Sequence, residues 1–302
     1  MKRNISLFAG VIILAYLVLS LDPGRILFLL ANIKVSFFLA ALAINFVDEL
    51  VAARILYVVL RRPDIAFKDV FLSHISGMMY ADVTPARIGY YYTALSLSRK
   101  LNTKKTVNIG VVTAINGVIF LTKTLGCLLG ILYFSYVIGR KFGGGFFYAA
   151  TIVPAAGFLG VIVFLYTRLP QNILAKFPKL QGLVEYVTSI QEAVGKMGRR
   201  DFNVILSHTL LIWLLVGIQW YLLALSIGVP VRLLDAILMR PLLSAVGFIP
   251  LTPNGLGLAE GGGAILFAAI GFTATEGLTF VLLTRINQLM INALGLLDLR
   301  RR

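Results

Sequence analysis

The stretch that most limits what this chain can fold into runs from Phe248 to Gly263, FIPLTPNGLGLAEGGG, deep inside an apolar run from Leu233 to Phe272. It carries two prolines, five glycines and one acid. Pro250 and Pro253 each remove a backbone donor, while Gly255 and Gly257 permit positive φ. An uninterrupted membrane helix has no use for either property. A break at membrane depth is tolerated only where protein or a water-filled cavity satisfies the freed backbone groups. The expected shape is a re-entrant hairpin: a half-helix in, a turn near Pro253–Gly257, and a second half-helix starting near Leu258. The free N–H groups and positive dipole end of that second half point at the tip and favour an anion.

The chain repeats the device. Residues 84–89 read TPARIG and residues 252–257 read TPNGLG, so Thr, Pro and Gly coincide at an offset of 168. Each motif sits in an apolar segment broken by Pro and Gly, one per half of the chain. Paired interrupted segments point to a transporter-type site at a repeat interface.

Composition sets the solvent. Of 302 residues, 59% are hydrophobic and 14% charged, and the mean hydropathy is +0.89, far more apolar than a soluble domain. Several runs reach the length needed to span a bilayer. The expectation is one all-α polytopic membrane domain over 1–302. The net charge of +15 reads as basic loops and affinity for anionic lipid head groups, not as nucleic-acid binding. The single cysteine, Cys127, excludes an intramolecular disulfide and reads as a small buried hydrophobe.

Expected spans are Ile5–Leu21, Val35–Leu60, Val107–Ile138, Phe146–Tyr166, Phe202–Ile227 and Leu278–Leu297, with broken segments at Val70–Leu97 and 233–272. Residues 2–3, 61–68, 99–105, 168–200 and 300–302 hold eighteen of the 28 Lys and Arg; the opposite loops hold five. That bias predicts six full spans, two hairpins and both termini cytoplasmic, in a prokaryotic plasma membrane. Hairpin 1 would then enter from the cytoplasm and hairpin 2 from outside, making the halves 1–140 and 146–302 an inverted repeat. Within 168–201, Leu180, Leu183, Val184, Val187, Ile190 and Val194 recur at helical spacing, which predicts an amphipathic cytoplasmic helix.

Ionisable residues inside spans are functional candidates. Arg87 lies at the first tip, Arg240 and Glu260 on the limbs of hairpin 2, Lys123 and Arg285 in the spans that follow each hairpin. With Thr252 and Asn254 these form the expected substrate-binding set, a cationic cavity for an anionic head group; guanidinium suits phosphate because its fork donates two parallel bonds. Thr84, Pro85, Gly89, Pro250, Pro253, Gly255 and Gly257 form the tips. Asp82 and Glu260 are the candidates for ion coupling. The structural readings stand beside these: Glu260 stabilising a helix start, Asp82 capping the turn at Thr84–Gly89, Asp48 and Glu49 pairing with Arg54, and Lys123 or Arg285 snorkelling. His74 and His208 match no metal-ligand spacing. No nucleophile stands beside a plausible base, so neither an enzyme nor a cofactor is expected.

The motifs PARIG (Pro85–Gly89) and PLTPNGLGLAEGG (Pro250–Gly262), with LLTRINQL (Leu282–Leu289) after them, resemble the flippase-like domain family, named for the transmembrane region of lysylphosphatidylglycerol synthases. The resemblance covers about residues 5–298. It implies a membrane domain that moves a lipid or lipid-linked head group between leaflets, and carries onto Pro85, Arg87, Gly89, Thr252, Pro253, Gly255, Gly257, Glu260 and Arg285. This chain has Tyr90 where an acid commonly follows the first motif, Asn254 for a usual Gly, and Ala259 where a basic residue is common. Read as a stand-alone member without an aminoacyl-transfer domain, it is not expected to make lysylphosphatidylglycerol. The expected partners are an anionic phospholipid or polyprenyl-phosphate-linked lipid and a soluble synthase or glycosyltransferase, with room for a homo-oligomer. Two alternatives remain open: a proton-coupled transporter of a small anion, and a non-catalytic membrane partner of a lipid-modifying synthase.

Overall fold

A computed structural model describes residues 2–84, 87–138, 156–247 and 252–299. The chain is helical in these segments: α1 (Lys2–Ser20), α2 (Pro23–Ala31), α3 (Val35–Leu60), α4 (Phe67–Asp82), α5 (Tyr92–Lys100), α6 (Lys105–Ile138), α7 (Ala156–Tyr166), α8 (Leu169–Ala175), α9 (Gln181–Gly195), α10 (Arg199–Ser226), α11 (Leu233–Gly247), α12 (Leu258–Ala269), α13 (Ala274–Asn292) and α14 (Leu296–Leu299). Helices α3, α6, α10 and α13 are long and apolar enough to cross a membrane by themselves. Two bent pairs reach that length only together: α1–α2 at 92°, in which α1 covers the expected first span and α2 the expected link, and α7–α8 at 77°, in which α7 is the described end of the expected fourth span and α8 lies beyond it. The protein is therefore an all-α, multi-pass membrane protein. The first bend has a local cause. Asp22 takes a left-handed conformation and its carboxylate accepts from the Arg25 N–H, capping a new helix that starts at Pro23.

Both broken segments fold back on themselves. In the first, α4 and α5 run antiparallel: Lys100 Nζ donates to the Asp69 carbonyl at 2.9 Å, and Ser73 Oγ lies 2.9 Å from Ser96 Oγ. A Cβ on Gly77 would lie 1.9 Å from Thr93 Oγ1, so only glycine permits the approach. The turn is tied by Thr84, whose Oγ1 accepts from the Gly89 N–H at 2.8 Å. Among the described residues Asp82, expected to cap this turn, accepts from Asn254 and Asn292 instead. In the second segment α12 starts at Leu258, after Gly257 at φ +82°, and packs on α11. Pro85, Pro250 and the early part of the fourth span lie outside the described residues. The offset of 168 carries Arg87 onto Gly255, and both have positive φ, 57° and 67°.

Helix α11 contains Pro241, which cannot donate to the Ile237 carbonyl. Trp213 Nε1–H from α10 takes that acceptor at 2.7 Å. The indole is thereby fixed against Gly126 of α6, where a Cβ would come within 2.9 Å of the ring. Trp213→Phe should leave the carbonyl buried without a donor, at a cost of about 1–3 kcal/mol. A thermal unfolding scan in detergent checks this; a parent-like midpoint would show that the carbonyl finds another donor.

The core has two main parts. One joins α10–α13 around Leu223, Met239, Phe267 and Phe280; the other joins α3, α5, α6 and α10 around Ile55, Leu97, Val112 and Ile205. In the amphipathic segment, Ile190 and Val194 of α9 pack with Ala114 and Leu165, and Val187 is also buried. Leu180 and Leu183, on the same expected stripe, are exposed.

Candidate functional site

The two hairpin tips meet. The Asn254 N–H donates to the Thr84 carbonyl at 3.3 Å, and Asn254 Nδ2 donates to Asp82 Oδ1 at 3.1 Å. Asn292 Nδ2 donates to the other Asp82 oxygen. Asn254, at φ 45°, occupies a conformation that asparagine tolerates better than most residues. Asn254 and Asn292 thus both link the second half to Asp82 of the first.

At the start of α12, Glu260 accepts from the Gly257 N–H at 2.8 Å and is bound by Arg285 from α13. Arg285 also donates to the Asn254 carbonyl at 3.1 Å. The positive end of this half-helix therefore faces the chain's own carboxylate, and the expectation of a substrate anion at that N-terminus is revised accordingly. Thr252 is 1% exposed, and its Oγ1 has no hydrogen-bond partner among the described residues.

Beside the tips lies a cavity of about 530 Å³. Arg87, Lys123 and Arg240 line it; Glu260, Arg285, Thr252, Asn254 and Asp82 do not. Along α6 the lining runs from Val112, Ile115, Ile119 and Phe120 to Lys123, with Thr113, Asn116 and Thr122 between them, so a largely apolar wall leads to a charged centre. Arg240 is held by two contacts. Its guanidinium carbon lies 5.6 Å from the centroid of the Trp220 ring, and one nitrogen donates to Ser244 Oγ at 2.8 Å. Arg87 lies 3.9 Å from Asp82 and reaches Met78 Sδ at 3.6 Å.

Sequence reasoning missed one cluster. Glu49, His74 and Tyr90 all line the cavity. Glu49 Oε2 lies 2.7 Å from His74 Nε2, and His74 Nδ1 lies 3.0 Å from the Tyr90 hydroxyl. The expected partner of Glu49, Arg54, sits five residues on, which turns it about 140° around the helix, and it is exposed. Two acids and a histidine inside apolar segments were the available signal. Asp48, also in the lining, keeps one buried oxygen with no hydrogen-bond partner among the described residues. Among those residues no group of three His, Cys, Asp or Glu is placed to hold a metal ion.

The profile of the lysylphosphatidylglycerol synthase TM region matches residues 5–295, nearly the whole chain. The chain belongs to this family. No curated protein and no solved structure matched it. Family membership agrees with the two tip motifs that carried the resemblance.

Proposed function

We propose that this family member moves an anionic lipid, a phospholipid or a polyprenyl-phosphate-linked lipid, between the leaflets of a prokaryotic plasma membrane. One observation carries the reading: a single cavity combines three cations with an apolar wall. A phosphate can meet the guanidinium groups of Arg87 and Arg240 while the tails remain against apolar surface. The two hairpins entering from opposite sides and meeting at their tips would let one half rock against the other, the alternating access of inverted-repeat transporters. Residues 168–201 would lie on the cytoplasmic face, where a soluble synthase or glycosyltransferase could dock.

Reconstitution tests this. Vesicles of phosphatidylcholine carrying a trace of head-group-intact, tail-labelled phosphatidylglycerol are treated with an impermeant quencher. The purified chain should expose the inner-leaflet label, and Arg240→Ala should slow that exposure about ten- to a hundred-fold, the loss of one charge-assisted contact. Protection at the level of protein-free vesicles would overturn the reading. It would leave the small-anion transporter and the non-transporting partner, which phosphate uptake and co-purification with a soluble enzyme separate.

Sidedness is tested separately. In a Cys127→Ala background, Asp64→Cys and Lys104→Cys should react with an impermeant thiol reagent from the cytoplasmic side and Arg232→Cys from the other. Opposite sides for residues 64 and 104 would mean that α4 and α5 cross the membrane as one span.

A further inference from the structure

The Glu49–His74–Tyr90 cluster opens on the same cavity as Arg87, Lys123 and Arg240. Glu49 and His74 are 4% and 3% exposed, and each is the other's hydrogen-bond partner. A carboxylate and an imidazole 2.7 Å apart must share a hydrogen. With neutral imidazole, Nε2–H donates to Glu49 and Nδ1 accepts from the Tyr90 hydroxyl. An added proton settles on Nδ1, which then donates to the Tyr90 oxygen while the phenolic hydrogen turns away. One N–H bond forms, no heavy atom need move, and the charge of the pair changes from minus one to zero.

That change matters because of what faces it. The cavity holds Arg87, Lys123 and Arg240 against Asp48 and Glu49. Three further groups nearby stand outside the cavity lining and are paired: Asp82 with Asn254 and Asn292, Arg285 with Glu260, and Lys100 with Asp298; the Asp82 carboxylate still lies within electrostatic reach of Glu49. Tyr91 in the lining bonds to Thr113. We infer that the Glu49–His74–Tyr90 cluster is a proton-binding site that fills when an anion enters the cavity. The inference rests on the reading of the cavity as an anion site. An anion among these cations raises the gain from cancelling the nearby negative charge of Glu49, and by linkage the bound proton tightens the anion. The coupling group is then this cluster, not Asp82 or Glu260, whose oxygens are already engaged by donors at the tips.

Dihexanoyl-phosphatidylglycerol is added to the purified full chain in weakly buffered detergent solution with a pH indicator. Binding is followed by the fluorescence of Trp213 and Trp220, which line the cavity. Binding should take up protons from the solution. Glu49→Gln and His74→Gln should abolish the uptake, and Asp48→Asn should keep it. The two histidines of the chain also allow a direct readout: an imidazole signal that survives in His208→Gln belongs to His74, and it should shift when the probe binds. Binding and lipid movement without proton uptake would overturn this inference alone. Uptake that persists in both Glu49→Gln and His74→Gln would place the proton elsewhere and overturn it too. Uptake without lipid movement would leave the site standing and remove the proposed function. No binding of the probe would remove both.

Discussion

Glu260→Ala is expected to be the most damaging single substitution in the chain. Glu260 is completely buried, bonds the Gly257 N–H and pairs with Arg285, which is itself mostly buried. Removing the carboxylate strips α12 of its cap and leaves a guanidinium in a low-dielectric site with the Asn254 carbonyl as its hydrogen-bond acceptor among the described residues. Breaking a buried pair on one side costs about 3–5 kcal/mol. The variant should lose most of its monodisperse peak after detergent extraction, and what remains should melt about 10 °C or more below the parent, taking about 2–4 °C per kcal/mol. Glu260→Gln should fall between, since its amide oxygen can still accept from Gly257. The double replacement Glu260→Gln with Arg285→Met should recover part of the loss, because the stranded charge is gone. A Glu260→Ala protein as stable as the parent would show that the pair does not hold the second hairpin.

That pair also marks how far the sequence alone reaches. The break itself was readable because proline and glycine act locally: Leu258 is both the expected and the observed start of α12. The kinship of the tips was readable from six residues at a fixed offset, and the shared positive φ at Arg87 and Gly255 gives it a backbone counterpart. Partners were harder. Glu260 and Arg285 are 25 residues apart, as are Glu49 and His74, and Asn254 lies 172 residues from Asp82. Whether such groups meet depends on the rotation of each helix about its axis, which packing decides. A stripe of cations in apolar segments therefore suggested one cavity, whereas packing divides them. Arg87, Lys123 and Arg240 face the cavity, and Arg285 turns to the tip. The indole that replaces the missing donor of Pro241 could not be assigned from sequence for the same reason.

Arg87 offers the sharpest separation of transport from stability. It sits in the left-handed region at φ 57°, where its counterpart in the second hairpin is Gly255. That conformation costs a non-glycine residue about 1–2 kcal/mol. Arg87→Gly relieves the cost, but loses about 0.5–1 kcal/mol through a looser unfolded chain and the modest pairing with Asp82 at 3.9 Å. The terms nearly cancel, so the thermal midpoint should stay close to the parent's. Transport should not: without the guanidinium, lipid movement should fall about ten- to a hundred-fold. Arg87→Lys keeps both the backbone strain and the positive charge but loses the two-pronged donor, so its transport should lie between the other two. If Arg87 serves only to hold Asp82 at the tip, the order changes. Arg87→Lys would then transport like the parent, and Arg87→Gly would lose stability and transport together. The three proteins, each measured by label exposure in vesicles and by melting in detergent, decide between a guanidinium that grips phosphate and one that pins the hairpin.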